Sequence, residues 1–221
     1  MKTWLISIYF VIFFTGVKAQ HIVLDKNVDA QYKGTHGPNM RHYDHFYIAQ
    51  GFVMPFEEKS GAKIGVGRSF DYLFGNRYKF KLLSFYAIGA DASYRYVRYH
   101  IADEKLLLDP NRPLTMASAV DKFSIVINSL GLEIYNRINI GPHGNTLGQY
   151  IDIGIKEEWN FGTREIIKDK LESSATAKKQ RVVNKGLKYI ENYSTLVTAR
   201  IGYNKFALFG NYRLSELFKA E

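Results

Sequence analysis

Ser84-Phe85-Tyr86-Ala87-Ile88-Gly89-Ala90-Asp91-Ala92-Ser93-Tyr94-Arg95-Tyr96-Val97-Arg98-Tyr99-His100 is the stretch that decides the fold. One set of positions reads Tyr86, Ile88, Ala90, Ala92, Tyr94, Tyr96, and the other reads Ala87, Gly89, Asp91, Ser93, Arg95. Apolar and aromatic residues thus alternate with small or charged ones. A strand sends successive side chains to opposite faces, whereas a helix gathers every third or fourth residue on one side. The segment therefore reads as a long strand with one apolar face and one face that carries charge in mid-strand.

The same rhythm recurs on both sides of it. In Leu147–Phe161, Leu147, Ile151, Ile153, Ile155 and Trp159 oppose Gly148, Tyr150, Asp152, Gly154, Lys156 and Glu158. In Ser129–Arg137, Leu130, Leu132 and Ile134 oppose Ser129, Gly131, Glu133 and Arg137. Val197, Ala199, Ile201 and Tyr203 oppose Thr198, Arg200, Gly202 and Asn204, while Phe206, Leu208, Tyr212 and Leu214 oppose Ala207, Asn211 and Arg213. Ala62–Phe70 alternates Ala62, Ile64 and Val66 with Lys63, Gly65, Gly67 and Ser69, and Asp44–Met54 alternates more weakly.

Two stretches break the pattern. Ala102–Lys122 is polar and holds Asp109-Pro110-Asn111-Arg112-Pro113, which is turn chemistry. Gly162–Gly186 holds the charge-dense run Lys168–Arg181, which reads as a short helix or a loop. The short connections are expected at Glu57–Gly61, Gly75–Arg77, Gly141–Asn145 and Asn204-Lys205. The domain plan that follows is a cleaved signal over 1–19, an N-terminal segment over 20–43, and an all-β domain over 44–218 with long loops near 102–122 and 162–186.

The export reading rests on the first residues. Lys2 precedes the apolar run Trp4–Val17, and Val17-Lys18-Ala19 offers small residues for cleavage before Gln20. The run is shorter than the roughly 18 residues of a spanning helix. Cleavage removes Lys2 and Lys18 and lowers the net charge from +9 to +7. The chain has no cysteine. That excludes thiol redox chemistry, Cys-ligated zinc, iron–sulfur clusters and lipidation on Cys.

Alternation does not say which face is buried. A soluble sandwich hides its apolar face, and a membrane barrel turns that face to lipid. Three features favour the barrel. Charge and glycine share one face, as with Asp91, Glu133, Asp152, Lys156 and Arg200; strand length matches the ~9–11 residues that cross a bilayer; and aromatics gather near strand ends, at Tyr94, Tyr96, Tyr99, Trp159, Phe161, Tyr203, Phe206 and Tyr212. The expected fold is a closed antiparallel up-and-down transmembrane β-barrel of eight strands. Seven strands read directly, so an eighth is expected in His21–Gln31 or in one of the two long segments.

The C-terminal stretch Tyr203–Phe218, with Tyr212-Arg213-Leu214-Ser215-Glu216-Leu217-Phe218, resembles the closing hairpin of small bacterial outer-membrane β-barrel proteins, of the OmpX/PorT-like porin kind. The resemblance covers residues 44–218. It implies a place in the outer membrane, among lipid, with the outer-membrane assembly machinery as partner and Tyr212 and Leu214 as the alternating residues of the assembly signal. The sequence departs from that pattern by ending on Lys219, Ala220 and Glu221 rather than on an aromatic.

Parity assigns Lys63, Asp91, Arg95, Glu133, Arg137, Asp152, Glu158, Lys156, Arg200 and Arg213 to the lumen. Cations and carboxylates nearly balance there, and an eight-strand barrel is just wide enough for side chains to fill it. A plugged lumen follows, with a structural or interaction role through polar loops toward an extracellular or periplasmic protein. The alternatives are small-ligand transport, a barrel-embedded enzyme, or a soluble periplasmic β-sandwich or lipocalin-like carrier. For catalysis the candidates are Ser93, Ser129, Asp91, His100 and His143, which spacing does not assemble. His42-x-x-His45, with His36 nearby, enters a strand, where that spacing parts the two rings. No metal, cofactor or nucleic acid is expected: Gly65-x-Gly67 opens no helix, and export and dispersed charge argue against nucleic acid. The basic Lys178-Lys179-Gln180-Arg181 reads as a solvated loop or an anionic-lipid contact.

Overall fold

A computed structural model of the chain describes residues 35–54, 64–101, 120–141, 144, 146–170 and 179–219. These residues form eight strands: β1 His42–Phe52, β2 Phe70–Lys81, β3 Tyr86–Ile101, β4 Val120–Ile140, β5 Gln149–Lys170, β6 Lys179–Lys185, β7 Tyr193–Tyr203 and β8 Phe206–Arg213. All pairings are antiparallel and join neighbours up and down, in the order β1-β2-β3-β4-β5-β7-β8, with β6 also on β5. The sheet curls into a half-barrel.

The opening stretch is β3, and its alternation sets the two faces. Ala87, Asp91, Ser93, Arg95 and Val97 are buried on the concave side, while Ile88, Ala90 and Ala92 are exposed on the convex side. Neighbouring strands inherit this parity through the register, because residues directly opposite share a face. Asp91 stands opposite Arg77 on β2 and Glu133 on β4, and Arg137 stands opposite Asp152 on β5.

The structure corrects the sequence reading of strand positions in four places. The expected strand at Ala62–Phe70 is not one: among its described residues Ile64 makes a single bridge to Ile101, and Gly67 takes a φ of 84° in a turn. The strand runs instead from Phe70 to Lys81, straight through the Gly75–Arg77 connection. Its signal is an aromatic at every second position, Phe70, Tyr72, Phe74, Tyr78 and Phe80, interrupted by Asn76. The described residues of the segment 162–186 hold the end of β5 and all of β6. Strand β4 begins at Val120, inside the expected loop 102–122.

The strand after residue 162 supplies an eighth strand without widening the sheet. The first half of β5 pairs with β7, from Gln149↔Tyr203 to Trp159↔Tyr193. Its second half pairs with β6, from Arg164↔Lys185 to Lys170↔Lys179. β6 and β7 therefore follow one another along the same edge of β5. The edge strands β1 and β8 consequently run in the same direction. The other candidate for an added strand, His21–Gln31, and the signal segment 1–19 lie outside the described residues.

β4 and β5 are about twice as long as β1, and with β6 their far ends project beyond the rest of the described sheet. Toward that end the concave face turns apolar: Val97, Tyr99, Ile101, Phe123, Ile125, Ile127, Ile167 and Ile190 form one cluster, with Leu187, Tyr189, Leu217 and Phe218 packed against it. Tyr99 belongs to this cluster and not to the outer aromatics, contrary to its sequence assignment. One extra residue in β5 makes the change of face possible. Asn128 pairs with Gly162 but Ser129 pairs with Asn160, so Phe161 is a bulge that shifts the inward set from Asp152, Lys156 and Glu158 to Thr163, Glu165 and Ile167.

Candidate functional site

The concave face below this cluster is built on ion pairs. The Arg137 guanidinium donates from Nε and Nη2 to the two oxygens of Asp152, at 2.7 and 2.9 Å. Arg77 Nη2 donates to the same carboxylate at 3.2 Å and lies 3.5 Å from Glu133. Its Nε is 3.9 Å from Asp91. A second group sits nearer the apolar cluster. Arg95 donates from Nε and Nη2 to Asp71, both at 2.8 Å, and from Nη1 to Glu158 at 3.0 Å. Lys156 Nζ is 3.4 Å from the other Glu158 oxygen. All of these side chains are buried. Charges taken from water in this way persist only when paired and hydrogen-bonded, and the bidentate forks of Arg137 and Arg95 are the strongest form of that pairing.

Glycines make the room. A β-carbon on Gly89 would collide with the Tyr135 ring, and one on Gly202 with the Tyr150 ring. Each ring lies over bare backbone and offers its other side to a guanidinium. Arg77 sits 3.8 Å over Tyr135, and Arg137 sits 3.7 Å over Tyr150. Tyr47 fills the space over Gly75 in the same manner, donates to Asp91 at 3.1 Å, and carries Arg200 at 4.7 Å from its ring centre. A chain of glycine, tyrosine, arginine and carboxylate thus crosses the interior of the curl. Replacing Gly89 by Ala is expected to destabilise by about 1–3 kcal/mol, because the Tyr78 carbonyl, a backbone atom, also blocks the new methyl. Gly210→Ala has open space and is expected within about 0.5 kcal/mol of wild type. Denaturant unfolding of the two variants measures the difference.

Of the residues assigned to the interior by parity, Asp91, Arg95, Glu133, Arg137, Asp152, Lys156, Glu158, Arg200 and Arg213 all stand on this face. Lys63 lies outside the described residues. Arg213 donates to Ser194 at 2.8 Å rather than to a carboxylate. The sequence reading missed Asp71 and Arg77, two buried members of the network, and the buried Lys79 at its end, because it ended a strand at Phe70 and read Gly75–Arg77 as a connection. The aromatic alternation of Phe70–Phe80 was the signal that places them.

Chain segments make contact at both ends of the curl. At one end Lys79 donates to the Pro38 carbonyl, and Lys81 donates to the Asn39 side chain at 2.6 Å. At the other end the apolar cluster is closed by a bridge between Ile190 and Phe218.

The convex face is the reverse. Leu132 and Ile134 are 71% and 74% exposed, and Phe46, Ile48, Ile153, Ile155, Ile201 and Leu208 are exposed with them. Aromatics border this belt. Phe74, Tyr94, Phe161 and Trp159 form a continuous row with centroids 5.9 to 6.5 Å apart on the side of the projecting strands. Tyr203 and Phe206 are exposed at the opposite end. Tyr212 and Leu214, the expected assembly signal, are both exposed at the end of β8.

The candidate catalytic residues are not brought together. Ser93, Ser129 and Asp91 are concave, whereas His100 is on the opposite parity of β3 and meets Ser124 at 3.3 Å. Ser129 donates to Asn160 at 2.7 Å, and His143 lies outside the described residues. The His42 and His45 rings part to opposite faces; His42 meets the Tyr78 hydroxyl at 2.6 Å and His36 meets Asp44 at 2.6 Å. Among the described residues no group of His, Asp and Glu is arranged to hold a metal ion. In comparisons with known proteins, no family model, no curated protein and no solved structure matches the chain.

Proposed function

We propose that the chain is an outer-membrane β-barrel with a sealed lumen and a structural or interaction role, through its polar loops, toward an extracellular or periplasmic protein. The observation that carries this reading is the inversion of the two faces. Buried ion pairs line the concave side, and an aromatic-edged apolar belt is exposed on the convex side. In water a belt of that kind would be an unpartnered apolar patch far beyond what monomers expose. Against lipid it is the ordinary exterior of a barrel, and the charges are its interior.

Closure belongs to the same proposal. Open sheet edges are not tolerated in hydrocarbon, so β1 and β8 must be satisfied in the membrane. Because they run the same way, they close either by parallel pairing or through a further strand running opposite to both. The leader expected at 1–19 accounts for export, and Tyr212 and Leu214 for recognition by the assembly machinery. A sealed lumen supports an anchoring or binding role over diffusion: a permeating solute would have to break bidentate pairs and pass the apolar cluster.

The folded protein purified in detergent is expected to run faster unboiled than boiled on a denaturing gel, and to fractionate with the outer membrane. In planar bilayers it is expected to give no conductance steps. Identical mobility and a soluble mature chain would overturn the membrane reading, while regular open-channel steps would overturn the seal and favour transport.

A further inference from the structure

Beside Phe161, at the edge of β5 where its pairing passes from β7 to β6, a groove of about 650 Å³ is lined by Arg164, Lys185, Lys188, Lys219, Asn128 and Phe161, with no Asp or Glu among the described residues of its wall. The cations come from three parts of the chain, and backbone hydrogen bonds hold them together. Arg164 follows the Phe161 bulge of β5. The 185–188 turn is tied to β5 by Gly186 N–H donating to the Thr163 carbonyl and Leu187 N–H donating to the Thr163 hydroxyl, each at 2.9 Å. Gly186 takes a φ of 70°, which lets the chain turn back there. The C-terminal tail is tied to the turn by Lys219 N–H donating to the Tyr189 carbonyl at 2.9 Å. Arg164 Nε is buried and has no hydrogen-bond partner among the described residues. The guanidinium lies 5.9 Å over the Tyr96 ring, and it brings its positive charge to the groove wall beside Lys185, where an anion is the complementary partner.

We infer that this groove binds the phosphate of a membrane lipid. The inference rests on the barrel reading above, which sets its geometry. Trp159, Phe161 and Tyr94 mark the level where aromatic rings sit at the headgroups, and the groove opens one residue row beyond them. Acyl chains then lie along the exposed belt, through Leu130 and Tyr193, while the phosphate reaches the four cations. The dimensions suit a headgroup, and the absence of acid among the described residues of the wall gives them one sign. Phosphate is the shared chemistry of a lipid and of a free ion; the apolar belt continuing below the groove favours the lipid.

The test uses the full mature protein in nanodiscs of phosphatidylglycerol mixed with phosphatidylcholine, with retained lipid counted by native mass spectrometry. Wild type is expected to retain phosphatidylglycerol in preference. Arg164→Gln with Lys185→Gln and Lys188→Gln is expected to lose that preference by on the order of fivefold per cation removed. Lys122→Gln with Lys168→Gln and Arg181→Gln removes the same charge from the projecting strands outside the groove, and is expected to keep it. Equal loss in both triple variants, or no loss in the first, overturns the site. Displacement of the lipid by inorganic phosphate at matched concentration would reassign the groove to a free anion. The unboiled gel mobility of each variant reports folding separately, and if the groove triple does not fold, Lys188→Gln with Lys219→Gln carries the test. Failure of wild type to enter nanodiscs at all would instead sink the barrel reading, and this site with it.

Discussion

Replacing Asp152 by Ala is expected to destabilise the folded protein by about 3–5 kcal/mol. This carboxylate accepts both bonds of the Arg137 fork and a third from Arg77, so its loss leaves Arg137 buried against Tyr150 with no anion. Arg77 suffers less, since Glu133 and Asp91 remain 3.5 and 3.9 Å away. Arg137→Met should cost less than Asp152→Ala, because Asp152 then keeps Arg77 and the Met side chain still fills the space over the tyrosine. Asp152→Asn, which keeps shape and acceptor, should fall between wild type and Ala. Combining Arg137→Met with Asp152→Asn should cost less than the two single effects summed, the mark of residues that act as a pair. The ranking is read from denaturant midpoints of refolded protein in vesicles. Equal midpoints for wild type and Asp152→Ala would mean that water reaches and solvates these charges.

How much of this was legible in the sequence depends on where each residue's partners lie. Alternation is local, so the concave and convex sets of β3, β7 and the paired halves of β4 and β5 are readable from the chain alone. Glycine beside charge on one face also signalled a crowded interior, which the Tyr135 and Tyr150 rings over Gly89 and Gly202 explain. β2 was not readable in the same way. Gly75-Asn76-Arg77 has turn chemistry, yet Gly75 is there to receive Tyr47 from β1, and Arg77 to reach Asp152 on β5. Those demands come from residues far away in sequence and override local propensity. The converse holds before Phe70: the alternation of residues 64–69 makes one strand-like bridge, Ile64 to Ile101, and turns at Gly67. The Phe161 bulge was invisible for another reason: a single added residue inverts parity for everything after it, and only the partner strand reveals where it falls. In the projecting strands Arg181 and Lys168 are exposed, so charge there does not oppose strand formation as it would in a buried sheet.

A charge placed in the convex belt separates the membrane from water as the environment of that face. Ile134 is mid-belt on β4, fully on the convex side, and 74% exposed in the isolated chain. If water covered it, Ile134→Arg would replace one exposed side chain by another and shift stability by no more than about 0.5 kcal/mol. If hydrocarbon covers it, the same change costs about 2–4 kcal/mol, because a guanidinium must be held near the bilayer centre. The cost should fall along the strand as the substituted position nears an aromatic border. Leu130→Arg, beside Trp159 and Tyr94, and Ile140→Arg, near Tyr203 and Phe206, are each expected to cost only about 0–1 kcal/mol. The inward-facing neighbours of Ile134 supply the opposite control, since Glu133 is already charged and paired with Thr198 and Arg77. Unfolding of the three arginine variants in vesicles gives a profile against position on the strand. A peak at Ile134 locates the bilayer centre on β4, and a flat profile would place the convex face in water.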